Sequence, residues 1–101
     1  MRQISGVKAF ILKKLLNNPS YSRDLLIREL WGEEPTRLLA KRFAVNLTHL
    51  RRLLEEENIP ISYRAGYYFI PLDKREKAQA FINEKYEMKV IYQRRSQDEK
   101  L

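Results

Sequence analysis

PTRLLAKRFAVNLTHLRRLL, residues 35–54, carries Arg37, Lys41, Arg42, Arg51 and Arg52, adds His49, and contains no Asp or Glu. At about 100° per residue, Leu39, Phe43, Leu47, Leu50 and Leu54 fall on one face of a helix. Arg37, Lys41, Val45, Thr48 and Arg52 fall on the opposite one. An apolar stripe of that width buries itself against a core. The other face sets three cations, a hydroxyl and a methyl-bearing side chain at successive turns. That mixture holds phosphates and touches base edges in a DNA major groove. A solvated face that is merely basic has the same pattern, so the flanking sequence has to decide.

Upstream, Ser5 is placed to cap a first helix with a broad apolar face of Val7, Phe10, Ile11, Leu12, Leu15 and Leu16, stopped by Asn17, Asn18 and Pro19. Ser22 is the next cap. It opens a helix of Leu26, Ile27, Leu30 and Trp31 that Gly32 can close in the left-handed conformation. Glu33, Glu34 and Pro35 form the link, with Pro35 at the first position of a third helix reaching about Glu56.

Downstream, the β-branched and aromatic runs 59–63 and 67–70 flank Arg64, Ala65 and Gly66, and Pro60 and Pro71 bracket them. This predicts a small hairpin at the edge of the molecule. Asp73 is placed to cap a last helix with Ala78, Phe81, Ile82, Lys85 and Tyr86 at helical spacing. Residues 88–92 either prolong that helix or form a strand, since Val90, Ile91 and Tyr92 favour β structure. Residues 94–101 read as a frayed polar tail.

The order helix, helix, helix, hairpin defines the expected fold class: α+β, mainly α, a winged helix-turn-helix of three helices and a two-stranded wing hairpin, with an added C-terminal helix. The expected organisation is a winged-helix unit over 1–72, a C-terminal helical extension over 73–93 that packs or dimerises, and the tail. In such a unit the third helix enters the major groove, and the hairpin reaches a neighbouring phosphate or the minor groove.

Composition agrees. A chain of 101 residues supports one domain that buries roughly 60–68% of its unfolded surface. Twenty Lys and Arg against 13 Asp and Glu give a formal charge of +7, which attracts polyanions. No apolar run approaches the ~20 residues of a membrane span, and Met1 is not followed by a signal-peptide pattern. The chain therefore reads as soluble and cytoplasmic. Without Cys there is no disulfide framework, zinc ribbon or thiol catalysis. His49, the single histidine, lacks a second ligand or a nucleophile partner. With no phosphate-cradling glycine loop or nucleophile elbow either, no enzyme activity, metal or cofactor is expected.

From Ser22 onward, a run of residues also resembles a known family. The run is Ser22 and Arg23, Leu26, then Leu30, Trp31, Gly32, Glu33, Glu34 and Pro35, then Val45, Leu47, Leu50, Arg51, Arg52 and Leu54, then Gly66 and Tyr67. It is similar to the winged-helix effector domains of bacterial response regulators, and more closely to their relatives in antibiotic-pathway activators. The match covers about half the chain. The resemblance implies sequence-specific binding of double-stranded DNA in transcription control. The helix starting near residue 36 then recognises the groove, with Lys41, Arg42, Val45, Asn46, Thr48 and His49 facing it and Arg64 on the wing. The family usually opens with a small β-sheet behind a receiver domain, whereas only residues 1–4 precede the first helix expected here, so phosphorylation control is not implied. A second resemblance competes. Residues 39–46 followed by 48–53 are similar to the compact helix-turn-helix of phage-type repressors, with Asn46 as an N-cap and recognition by residues 47–57.

Single features divide between packing and contact. Trp31, beside a helix-ending glycine, belongs to the edge of the core. Tyr67 and Phe69 alternate with Tyr68 and Ile70, so one pair faces inward. Glu55, Glu56 and Glu57 oppose the macrodipole at a helix C-terminus, as a soluble end held away from DNA or as a protein contact. Phe81, Tyr86 and Tyr92 either dock on the first helix or form a homodimer surface.

The leading function is then duplex DNA binding. Arg37, Arg42, Arg51, Arg52 and Arg64 would neutralise phosphates while Lys41, Val45, Thr48 and His49 probe base edges. With roughly six phosphate contacts, log affinity falls against log salt with a slope near −5. The alternative is a winged-helix interaction or assembly module that binds an acidic partner. RNA binding is weaker, for want of an exposed aromatic platform.

Overall fold

The computed structural model describes residues 2–89 as four helices and five short strands: β1 (Arg2–Ser5), α1 (Gly6–Asn17), β2 (Tyr21–Ser22), α2 (Arg23–Trp31), α3 (Arg37–Glu55), β3 (Ser62–Arg64), β4 (Tyr67–Phe69), α4 (Leu72–Lys85) and β5 (Tyr86–Lys89). The architecture is α+β and mainly helical.

Helix ends follow local chemistry. At α2, Ser22 Oγ accepts from the Leu25 N–H at 3.2 Å, and Gly32 takes the left-handed conformation, φ 72°, with its N–H donating to the Arg28 carbonyl at 2.6 Å. At α3 the cap is Thr36, whose Oγ1 accepts from the Leu39 N–H at 3.1 Å. Pro35 therefore precedes the cap and does not occupy the first helical position as expected. The helix then runs unbroken to Glu55. Asn46, the N-cap of the repressor-like alternative, lies inside it, with its Nδ2 donating to the Arg42 carbonyl at 3.0 Å. A break near Val45 with a new helix from Leu47 is thus excluded.

Two expected caps are different in the structure. Ser5 ends β1 and precedes α1, but its side chain makes no cap bond. Gly6, φ 67°, turns the corner into the helix. Asp73 lies in the first turn of α4, where a carboxylate favours the helix dipole, and Pro71 holds the cap position.

β1 and β5 pair in parallel, from Arg2↔Tyr86 to Ser5↔Lys89. The ambiguous segment after α4 is therefore strand through Lys89. Residues 90–101, with Tyr92 and the expected tail, lie outside the described residues. The second sheet is antiparallel in the order β2-β4-β3. Its hairpin register is Ser62↔Phe69, Tyr63↔Tyr68 and Arg64↔Tyr67. The hairpin turns through two residues, Ala65 at φ 51° and Gly66 at φ 89°, the positive-φ pair of a type I′ turn. Arg64 ends the strand and is not part of the turn.

A single cluster of buried apolar side chains runs from Ile4 to Tyr86 and draws on all four helices. Phe81 and Tyr86 belong to it, edge-on at 5.2 Å, and Arg75 Nη2 of α4 donates to the Leu16 carbonyl near the end of α1 at 2.7 Å. Of the two roles open to the C-terminal segment, docking on its own first helix uses these aromatics. They are not left for a homodimer, and the core continues across the expected boundary at residue 72. Trp31 packs at the core edge. Among the described residues, no helix is long and apolar enough to cross a membrane.

Candidate nucleic-acid interface

Burial of Leu39, Phe43, Leu47, Leu50 and Leu54 orients α3, at about 1.5–3 kcal/mol per side chain. Once that stripe is inward, the opposite row must face solvent. Arg37, Lys41, Val45, Thr48 and Arg52 are all exposed, as are Arg42 and His49 on the adjoining flank. Ala44, Val45, Thr48, His49 and Arg52 line a shallow, open depression in this surface.

The electrostatics are one-sided. No Asp or Glu occurs from Thr36 to Leu54. The ion pairs found among the described residues lie elsewhere: Lys14–Glu29 at 3.6 Å, Arg23–Asp24 at 3.1 Å and Arg28–Glu34 at 2.9 Å. Among the described residues, no ion pair is found at Arg37, Lys41, Arg42 or Arg52.

Two of the residues expected at this surface are engaged in the fold. Arg51, next in sequence to exposed Arg52, is half-buried: its Nη2 donates to the Ile61 carbonyl at 2.8 Å and its guanidinium stands over the Tyr68 ring at 5.7 Å. It fastens the segment leading into β3 to the helix, so part of this guanidinium expected at phosphate is used inside the fold. Asn46 is half-buried, and one of its two amide hydrogens is donated to the Arg42 carbonyl.

The hairpin sits beside α3 through Tyr68, which lies 5.8 Å from Phe43 and 4.7 Å from Tyr63, centroid to centroid. Burial of Tyr68 pushes its phenol above the ordinary tyrosine value, with the Arg51 charge opposing. Tyr68 is therefore a packing residue. The strand alternation places Arg64 and Tyr67 together on the other side of the hairpin, both exposed. The Arg23 N–H donates to the Gly66 carbonyl at 3.0 Å, which ties the turn to the start of α2.

Leu38 was not singled out from sequence, yet it is 62% exposed on the cationic side of α3. Its signal was legible: at 100° per residue it falls close to Val45, an apolar residue on the polar face. Tyr63 and Tyr67, both about half exposed, needed the hairpin register before they could be placed. Among the described residues, no group of His, Cys, Asp and Glu is arranged to hold a metal ion.

No family model, curated protein or solved structure matches this chain.

Proposed function

We propose that the chain is a winged helix-turn-helix module that binds double-stranded DNA sequence-specifically, in transcription regulation, with α3 as the recognition helix and the β3–β4 hairpin as the wing. The observation that carries it is the acid-free exposed face of α3, where Arg37, Lys41 and Arg52 line up opposite the buried stripe with Arg42 at the side. An α-helix fits the major groove, and a row of cations along it spans successive phosphates.

The element order supports the same reading. α1, β2, α2 and α3 precede the hairpin, and β4 lies between β2 and β3, so the hairpin is held against the helical unit with Arg64 at its end. This is the arrangement in which a wing reaches DNA beside a recognition helix.

With Arg51 engaged by Ile61, the phosphate set becomes Arg37, Arg42, Arg52 and Arg64, with Lys41 contributing charge at the groove. Four phosphate contacts give a slope of about −3.6 for log affinity against log salt. Titration of a labelled duplex at several salt concentrations measures it. An affinity indifferent to salt, or equal retention of Lys41→Ala and wild type on a duplex column while an acidic protein partner distinguishes them, rejects DNA as the ligand.

A further inference from the structure

The exposed side of α3 holds an unusual set of groups for reading bases. Bidentate recognition of adenine calls for Asn or Gln, and cytosine N4 calls for Asp or Glu. Between Arg37 and Leu54 the sole amide is Asn46, bonded to the Arg42 carbonyl, and there is no carboxylate. Between its cations the face offers the Thr48 hydroxyl, the His49 imidazole and two aliphatic side chains. Leu38 is 62% exposed and Val45 55%, with the Thr48 side chain on the same surface.

Leu38 and Val45 are seven residues apart, so two helical turns bring them close to one line, about 10.5 Å apart along the axis. That separation is too large for both to touch one base pair, given a rise of about 3.4 Å per step. Leaving two aliphatic side chains in water among cations gains the fold nothing. Against a major groove they meet the one apolar group its floor presents, the C5 methyl of thymine. Flanking Arg37, Lys41, Arg42 and Arg52 match the phosphates on either side.

Resting on the DNA-binding reading, we propose that α3 reads sequence chiefly through thymine methyl groups, with Val45 and Leu38 contacting methyls of two separate base pairs. Guanine, whose N7 and O6 accept from Lys or Arg, and base edges within reach of the Thr48 hydroxyl or the His49 ring are the polar contacts this face adds.

The test takes a duplex enriched from a random pool by the full chain and resynthesises it with deoxyuridine in place of thymidine, one position at a time. Uracil pairs as thymine does and lacks only the methyl. The expected result is about fourfold weaker binding at each of at least two positions, from about 0.8 kcal/mol per apolar carbon. Val45→Ala should abolish the loss at one of them and Leu38→Ala at another. Both side chains are exposed, so the variants keep the core intact, and the nucleotide change leaves the protein untouched. Equal affinity for thymine and uracil duplexes overturns methyl readout and leaves sequence-specific binding standing, whereas a retained pool from which no site enriches overturns both methyl readout and sequence specificity. Failure to retain any duplex overturns DNA binding as well.

Discussion

Arg51 and Arg52 are neighbours in sequence with opposite surroundings, which makes them a controlled pair. Arg51→Ala removes a charge-assisted bond to the Ile61 carbonyl and the cation over Tyr68, and should cost about 2 kcal/mol in urea unfolding. Arg52→Ala should change stability by less than about 0.5 kcal/mol, yet lower the salt slope of duplex binding by about 0.9. If Arg52→Ala were the destabilising member, the orientation of α3 would be wrong. The tyrosines supply a pH test. Burial raises the Tyr68 phenol, and burial followed by the Glu29 hydrogen bond raises that of Tyr21. The folded state therefore holds these protons more tightly than the unfolded one. Their contribution is complete below about pH 10 and is lost as pH rises through the raised folded values. Tyr68→Phe keeps the ring and should flatten part of that alkaline decline, seen as a smaller difference between urea midpoints at about pH 9 and about pH 11.

At the scale of the element, α3 needs its cap and the hairpin needs its turn. Thr36→Ala removes the oxygen that accepts from the Leu39 N–H and should cost about 1 kcal/mol, measured by thermal or urea unfolding. The turn carries an improvable position. Ala65 sits at φ 51°, a conformation that disfavours a Cβ-bearing residue unless it is Asn or Asp. Ala65→Asn creates the Asn-Gly pair preferred in type I′ turns and should stabilise by about 0.5–1 kcal/mol; an unchanged midpoint would contradict that turn geometry. Helices were legible because each carries its own evidence, such as Ser22 and Gly32 at the ends of α2. The strands β1 and β2 were not. Arg2–Ser5 and Tyr21–Ser22 are too short to display alternation, and their partners lie far along the chain.

Across the whole molecule, the first and last described strands are joined. β1 and β5 hold residues 2–5 beside residues 86–89, and Ile4 is 1% exposed in the shared core. Ile4→Ala should therefore destabilise the entire chain by about 2–5 kcal/mol, in one cooperative transition detected equally by far-ultraviolet circular dichroism and tryptophan fluorescence. Two separate transitions would mean that α4 and β5 form an appendage to an independent unit. The excess of cations is likewise a molecular property. It attracts polyanions from a distance, and α3 presents part of it as one acid-free row.

By itself the sequence determined which residues of α3 face inward and which face out, because a period of 3.6 sorts Leu and Phe from Arg and Lys without reference to any other element. It also determined the helix stops at Asn18 and Gly32 and the existence of the hairpin. Tertiary structure decided what long-range partners decide. Arg51 faces a carbonyl and a ring supplied by residues 61 and 68, Phe81 and Tyr86 turn into the core of their own chain, and residues 2–5 become a strand because residues 86–89 offer free backbone donors and acceptors. Hydrophobic periodicity is a local code, whereas strand pairing and side-chain capture depend on groups that come together only when the chain closes on itself.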